Sequence, residues 1–176
     1  MLNKQQLTRK LKQVRLLLCD VDGVLTDGSV YFGSSDEYKR FHVFDGLGVK
    51  LLRNAGIKTG WISARPSPAT ARRAAELQIE FLSQDDESKV KAIENILHQT
   101  GCAWSNVCYI GDDVADLGAL SRAGVAVCVP DAHPQVRKLA HYVTRARGGR
   151  GAVREVIELI LKAQNKWSDI INHYSQ

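Results

Sequence analysis

Short apolar runs alternate with segments of helical period along most of the 176-residue chain, and this alternation limits the fold more than any other feature. Residues 14–19, 57–63, 79–84, 106–111, 125–130 and 141–144 read as strands. Between and after them, residues 46–54, 67–78, 88–99 and 113–124, a short segment after Pro134 and residues 152–164 carry helical spacing. Strands separated by helices of about ten residues predict right-handed βαβ units, and hence an α/β fold with a doubly wound parallel sheet covered on both faces. One segment breaks the rhythm. Residues 29–44, "SVYFGSSDEYKRFHVF", read as a β-hairpin turning at residues 33–36, directly after the first strand. A chain of this length suits one domain, residues 1–176, with a basic extension (1–13) and a tail (167–176) outside the alternation. No stretch between the motifs is long enough for a large cap domain.

In open parallel sheets the reactive groups collect at the carboxyl ends of the strands. Those positions here hold Asp20 and Asp22, Ser63, Lys89 at the start of the following helix, and Asp112 with Asp113. Each has an ordinary reading alone: an acidic turn for "DVD", helix capping for "GDD", a solvated helix position for Asp116. Their order at successive strand ends argues otherwise. Asp20, Asp22 and Asp112 repel one another unless a cation neutralises them, and an all-oxygen donor set selects a hard ion, Mg2+. A lysine and a hydroxyl beside that ion suit a phosphoryl group. Asp20 is the expected nucleophile, forming an aspartyl-phosphate, and Asp22 the expected acid and then base. The pKa of Asp22 must then exceed that of Asp20.

Composition excludes several other classes. Net charge is +5, but the basic residues fall into two separate clusters, at residues 4–15 and in "VTRARGGRGAVR", without interleaved aromatics; no nucleic-acid partner is expected. No apolar run approaches the ~20 residues of a membrane span, and the basic N-terminus lacks an apolar core and cleavage site, so no membrane partner and a cytoplasmic location are expected. Cys19, Cys102, Cys108 and Cys128 show no metal or redox spacing and read as buried thiols, and His42, His98, His133 and His141 as structural.

With these residues assembled, the chain resembles the haloacid dehalogenase superfamily: D-x-D at Asp20 and Asp22, serine at Ser63, lysine at Lys89, and G-D-D-x-x-D over Gly111, Asp112, Asp113 and Asp116. More narrowly, "DVDGVLTDG", "FHVFDGLGVKLL", "YIGDD" and "HYVTRARGGRGAVREVIELILKAQNKW" look like the 3-deoxy-D-manno-octulosonate 8-phosphate (KDO 8-phosphate) phosphatases. The resemblance implies a Rossmann-like fold and phosphomonoester hydrolysis in lipopolysaccharide precursor synthesis. It implies Mg2+ held by Asp20, Asp112 and the backbone carbonyl of Asp22, with Asp113 and Asp116 in support. It also implies a homotetramer in which one subunit's hairpin and tail cover the neighbouring site. Thr26, Asp45, Arg65 and Arg150 are candidate contacts to the sugar phosphate, the arginines as forks for its carboxylate; Arg147 and Arg154 share that chemistry.

Three positions depart from the family pattern: Ala64 replaces glycine in "SAR", Phe44 replaces arginine, and Asp85 replaces glycine. Relatives acting on nine-carbon sugar acid phosphates tend to carry glutamate where Arg65 stands, so Arg65 favours the eight-carbon substrate over a nine-carbon or other sugar phosphate. A non-enzymatic receiver-like phospho-acceptor uses similar residue types, but its acceptor aspartate would follow the third strand, where this chain has Ser63.

Overall fold

The computed structural model describes residues 1–34, 37–85 and 88–176. Six strands form one parallel sheet: β1 (Leu16–Cys19), β4 (Lys58–Ser63), β5 (Phe81–Gln84), β6 (Val107–Gly111), β7 (Val125–Cys128) and β8 (Tyr142–Val143), in the order β5-β4-β1-β6-β7-β8. The helices that follow these strands in turn are α2 (Val43–Asn54), α3 (Pro68–Leu77), α4 (Lys89–Thr100), α5 (Leu117–Arg122), α6 (Pro134–Leu139) and α7 (Ala152–Ala163).

Successive strand side chains point to opposite faces, so each strand feeds two cores. Leu17, Cys19, Trp61, Ile110 and Val127 pack with α2 and α7 on one face, while Leu16, Leu18, Ile62, Tyr109 and Ala126 pack with α4, α5 and α6 on the other. In α7, Val153, Val156, Ile157, Ile160 and Leu161 are all buried. Their spacing gives one apolar stripe, which explains why this helix docks.

Sheet order decides where the site lies. From β1 the chain steps outward to β4 and β5, then α4 carries it back across to β6 on the other side of β1. That reversal opens a crevice beyond the carboxyl ends of β1 and β6. Register fixes the depth: Cys19 pairs with Ile110, and the Asp20 amide donates to the Ile110 carbonyl at 2.9 Å. Asp20 and Asp112 therefore leave adjacent strands at nearly the same level.

The structure corrects two readings of the sequence and adds a helix in each terminal segment. The hairpin is short, β2 (Tyr31–Phe32) paired antiparallel with β3 (Glu37–Tyr38), because the second run turns helical at Val43. Part of its expected turn, residues 35 and 36, lies outside the described residues. Residues 113–124 divide into a 3-10 turn (Val114–Asp116) and α5, since Asp113 caps the turn by accepting from the Val114 amide at 2.7 Å. The basic extension holds a helix, α1 (Lys4–Leu11), with a capping box between Asn3 and Gln6. The tail holds α8 (Trp167–Tyr174), whose Trp167 ring lies under Arg154 and Lys162 of α7.

Candidate active site

Asp20, Lys89, Asp112 and Asp116 converge at the carboxyl end of the sheet. One carboxylate oxygen from each of Asp20, Asp112 and Asp116 lies within 4.8 Å of the others. Lys89, in the first turn of α4, is buried with its ammonium 3.0 Å from Asp20 and 2.7 Å from Asp116. Asp116 is fully buried and completely engaged: Oδ1 accepts from Lys89 and from the Tyr109 hydroxyl at 2.7 Å, and Oδ2 from the Asp112 and Asp113 amides at 2.9 and 3.2 Å. A carboxylate that accepts from four donors fixes both Lys89 and the turn that carries Asp112.

Electrostatics favour an added cation. Burial raises the Asp20 carboxyl to about 6 against the pull of Lys89, with Asp116 adding repulsion. Burial, then Asp20 and Asp116, push Asp112 up to about 8. Asp112 Oδ1 is buried without a hydrogen-bond partner among the described residues, an acceptor that a ligand must satisfy. Two carboxylates driven toward protonation by burial and neighbouring negative charge, one with an orphan oxygen, fit a hard divalent ion. Asp20 and Asp112 are the side chains free to hold it, because both oxygens of Asp116 are already used. Lys89 is raised despite its burial, by Asp20 and Asp116, so it remains a cation beside the nucleophile.

The loop after β1 is built to approach this cluster closely. Gly23 sits at φ +87, and a Cβ there would stand 2.7 Å from Asp112 Cγ. Only glycine combines that left-handed backbone with that contact. The Gly-rich turn before α7 seals the loop from outside: a Cβ on Gly148 would run into the Gly23 carbonyl, and Gly149 lies against Thr26.

The other expected residues are placed as follows. Asp22 is outside the three-carboxylate cluster; its carboxylate spans the buried Lys39 ammonium at 2.8 and 2.9 Å. Ser63 is buried at the end of β4, its hydroxyl donating to the Arg65 carbonyl and accepting from the Arg65 amide, both at 3.1 Å. Thr26 is fully buried and braces its own loop, accepting from the Gly23 and Gly28 amides at 3.4 and 3.2 Å. Asp45 accepts from the Arg154 amide at 2.7 Å and so joins α2 to the first turn of α7. Burial raises its carboxyl. Arg65 pairs with Glu37, whereas Arg147 and Arg150 are exposed on the Gly-rich turn. Asp113 is exposed and caps the 3-10 turn.

Sequence reasoning passed over Tyr109, Glu37, Lys39 and Glu155. A tyrosine inside the otherwise apolar "VCYIG" was the available signal for the first, since a buried hydroxyl needs a partner. The alternating charges of "DEYKR" were the signal for the next two. Glu155 accepts from the Arg145 and Ala146 amides at 3.0 Å and anchors the turn before α7; no local pattern marks it.

The geometry is matched by known proteins. The sequence model of haloacid dehalogenase-like hydrolases fits residues 61–157. The KDO 8-phosphate phosphatase KdsC of Yersinia pestis is 43% identical over 159 residues, 90% of this chain and 85% of that protein. Its counterpart from Escherichia coli K12 is 42% identical over 158 residues, 89% and 84% of the two chains. The chain belongs to the haloacid dehalogenase-like hydrolase family. Among solved structures, the KDO 8-phosphate phosphatase from Moraxella catarrhalis, in complex with a magnesium ion, a phosphate ion and KDO, superposes with a TM-score of 0.95 at 40% identity, covering 98% of this chain and 99% of that one. Membership explains why Asp20 and Asp112 face each other with Lys89 between Asp20 and Asp116, and it disfavours the receiver-like reading.

Proposed function

We propose that this protein is a Mg2+-dependent phosphatase that hydrolyses KDO 8-phosphate to KDO and inorganic phosphate. The observation that carries this reading is the likeness, over nearly the full length of both chains, to a phosphatase bound to magnesium, phosphate and KDO, joined to the convergence here of Asp20, Lys89, Asp112 and Asp116. Asp20 and Asp112, with the Asp22 backbone carbonyl, would hold the ion, which lowers the repulsion between nucleophile and phosphate dianion.

Asp20 attacks phosphorus as the ester P–O bond breaks, and Asp22, once released from Lys39 and protonated, gives its proton to the departing sugar oxygen. Asp22, now a carboxylate, takes a proton from water as the water oxygen attacks the same phosphorus, and Asp20 departs as the free carboxylate. Lys89 balances charge on Asp20 and on the phosphoryl oxygens. Ser63, once turned from the Arg65 backbone, supplies a hydroxyl donor to the phosphoryl group. Asp113 and Asp116 support the turn that presents Asp112. Thr26 and Asp45 back the crevice, and Arg65 and Arg150 would pair with a sugar acid's carboxylate.

The chain acts as one unit in lipopolysaccharide precursor synthesis, as a cytoplasmic homotetramer. The exposed apolar side chains of the hairpin and α2, among them Phe32, Tyr38, Val43 and Phe44, support assembly, and no described helix is long and apolar enough to cross a membrane. A substrate panel at fixed Mg2+ tests the reading: kcat/KM for KDO 8-phosphate should exceed that for other esters by a wide margin. A nine-carbon sugar acid phosphate turned over faster would displace the substrate assignment. Asp20→Asn should abolish turnover and Asp22→Asn nearly so, and full activity in either removes the mechanism.

A further inference from the structure

The base of the hairpin is tied to the site by charge. Arg40 pairs with Asp27 and Lys39 with Asp22 on the loop after β1. Glu37 reaches the other side of the crevice, to the loop after β4. One of its oxygens accepts from Arg65 Nη2; the other accepts from the Ser67 hydroxyl at 2.8 Å and lies 3.8 Å from Lys39. Ser67 is itself the N-cap of α3, accepting from the Thr70 amide at 3.3 Å. Glu37 is therefore held between a fixed helix terminus and an arginine, and its own side chain is only 14% exposed.

Arg65 is the group this arrangement controls. Its Nη1 is buried and has no hydrogen-bond partner among the described residues, while Nη2 is committed to Glu37. A guanidinium loses little further freedom on binding a second carboxylate when one edge of its fork is already clamped, and an unpartnered buried donor is costly until an acceptor arrives. In KDO 8-phosphate the carboxylate lies at the opposite end of the sugar from the phosphate, so a reader of that group belongs on the rim and not among the metal-site carboxylates. Arg65 stands two residues beyond Ser63 on that rim.

We infer that Glu37 is a specificity-determining positioning residue: it clamps Arg65 through Nη2 and Ser67 so that Nη1 is presented to the carboxylate of an acidic sugar phosphate. The assignment deepens the proposed function and rests on it. Among the described residues Glu37 pairs with Arg65, Ser67 and Lys39 and with none of Asp20, Asp112 and Asp116, so its removal should affect substrates chiefly according to whether they carry a carboxylate.

The test measures kcat/KM at fixed Mg2+ for wild type, Glu37→Ala, Glu37→Gln, Arg65→Ala and the Glu37→Ala/Arg65→Ala double variant, on KDO 8-phosphate and on p-nitrophenyl phosphate, which has no carboxylate. Glu37→Ala should lower kcat/KM for KDO 8-phosphate about tenfold more than for p-nitrophenyl phosphate, chiefly through KM. Glu37→Gln, which keeps one acceptor oxygen, should recover part of that gap. In the Arg65→Ala background, Glu37→Ala should add little, because the clamp has nothing left to hold. Equal losses on both substrates, or full additivity of the two variants, overturns the clamp and leaves the phosphatase reading intact. Failure of Arg65→Ala to discriminate between the substrates overturns the role of Arg65 and the clamp together. A wild-type protein that hydrolyses p-nitrophenyl phosphate but not KDO 8-phosphate removes the substrate assignment, and the clamp with it.

Discussion

Replacing Asp116 by asparagine changes almost no volume, yet the structure makes it a severe substitution. Each carboxylate oxygen accepts from two donors, Lys89 and Tyr109 on one and the Asp112 and Asp113 amides on the other. Asparagine offers one oxygen and one NH2 group. Whichever way the amide is turned, its NH2 meets two donors at about hydrogen-bond distance, and the buried Lys89 ammonium keeps only Asp20 as a charged partner among the described residues. Two unsatisfied donors cost about 1–3 kcal/mol each, and breaking a buried ion pair from one side costs about 3–5 kcal/mol. These are overlapping accounts of one loss, and relief of the repulsion between Asp116 and Asp112 works against it. The expected net destabilisation is about 3 kcal/mol. At roughly 2–4 °C per kcal/mol for a protein of this size, Tm should fall by roughly 6–12 °C.

Urea and thermal unfolding in EDTA would measure this without metal linkage, and activity should fall in parallel because Lys89 and the turn carrying Asp112 lose the anchor that fixes them. An internal control is available in Tyr109→Phe, which removes a single donor and should cost roughly 1–2 kcal/mol alone but much less in the Asp116→Asn background. An Asp116→Asn protein within about 1 kcal/mol of wild type would refute the claim that all four donors depend on the charge.

Two further outcomes follow from the same site. Asp20 and Asp112 have raised carboxyl pKa values, about 6 and about 8, so in the folded metal-free protein they keep protons that the unfolded chain releases above about pH 4. Folded-state proton binding in excess means that stability falls as pH rises over that interval, and Mg2+, which replaces those protons, should raise Tm more at pH 8 than at pH 6. A magnesium-induced shift in Tm that is independent of pH would contradict this. Gly23→Ala should lose about 1–3 kcal/mol of stability from its left-handed backbone and should also weaken Mg2+ binding at least tenfold by displacing Asp112, as measured by urea unfolding and titration calorimetry. Wild-type magnesium affinity in that variant would separate the loop from the metal site.

The two termini show where reading the chain fell short. Residues 1–13 carry a capping box at Asn3 and Gln6, and Leu11 is buried against the sheet, yet the density of basic side chains suggested an extension. Lys4, Arg9 and Lys12 face solvent, while Lys10 donates to the Gly124 carbonyl at 2.9 Å. The hairpin was recognised from its β-branched and aromatic residues, but its second strand was drawn too long, because Val43 and Phe44 have strand-like chemistry and helical backbone.

The linear order of residues was sufficient to establish the parallel α/β architecture and to name Asp20, Lys89 and Asp112, because strand periodicity is local and a parallel sheet always gathers its strand ends on one edge. It could not reveal that Asp116 would be buried under four donors, that Lys39 would meet Asp22, or that Glu37 would hold Arg65 and Ser67. Those pairings join residues up to 30 positions apart, and they depend on strand order and on the fold of the hairpin across the crevice. Charge in a sequence has sign but no neighbour. Only the packed chain assigns its partner, and at this site the partner decides whether a carboxylate holds a metal, braces a loop or aims an arginine.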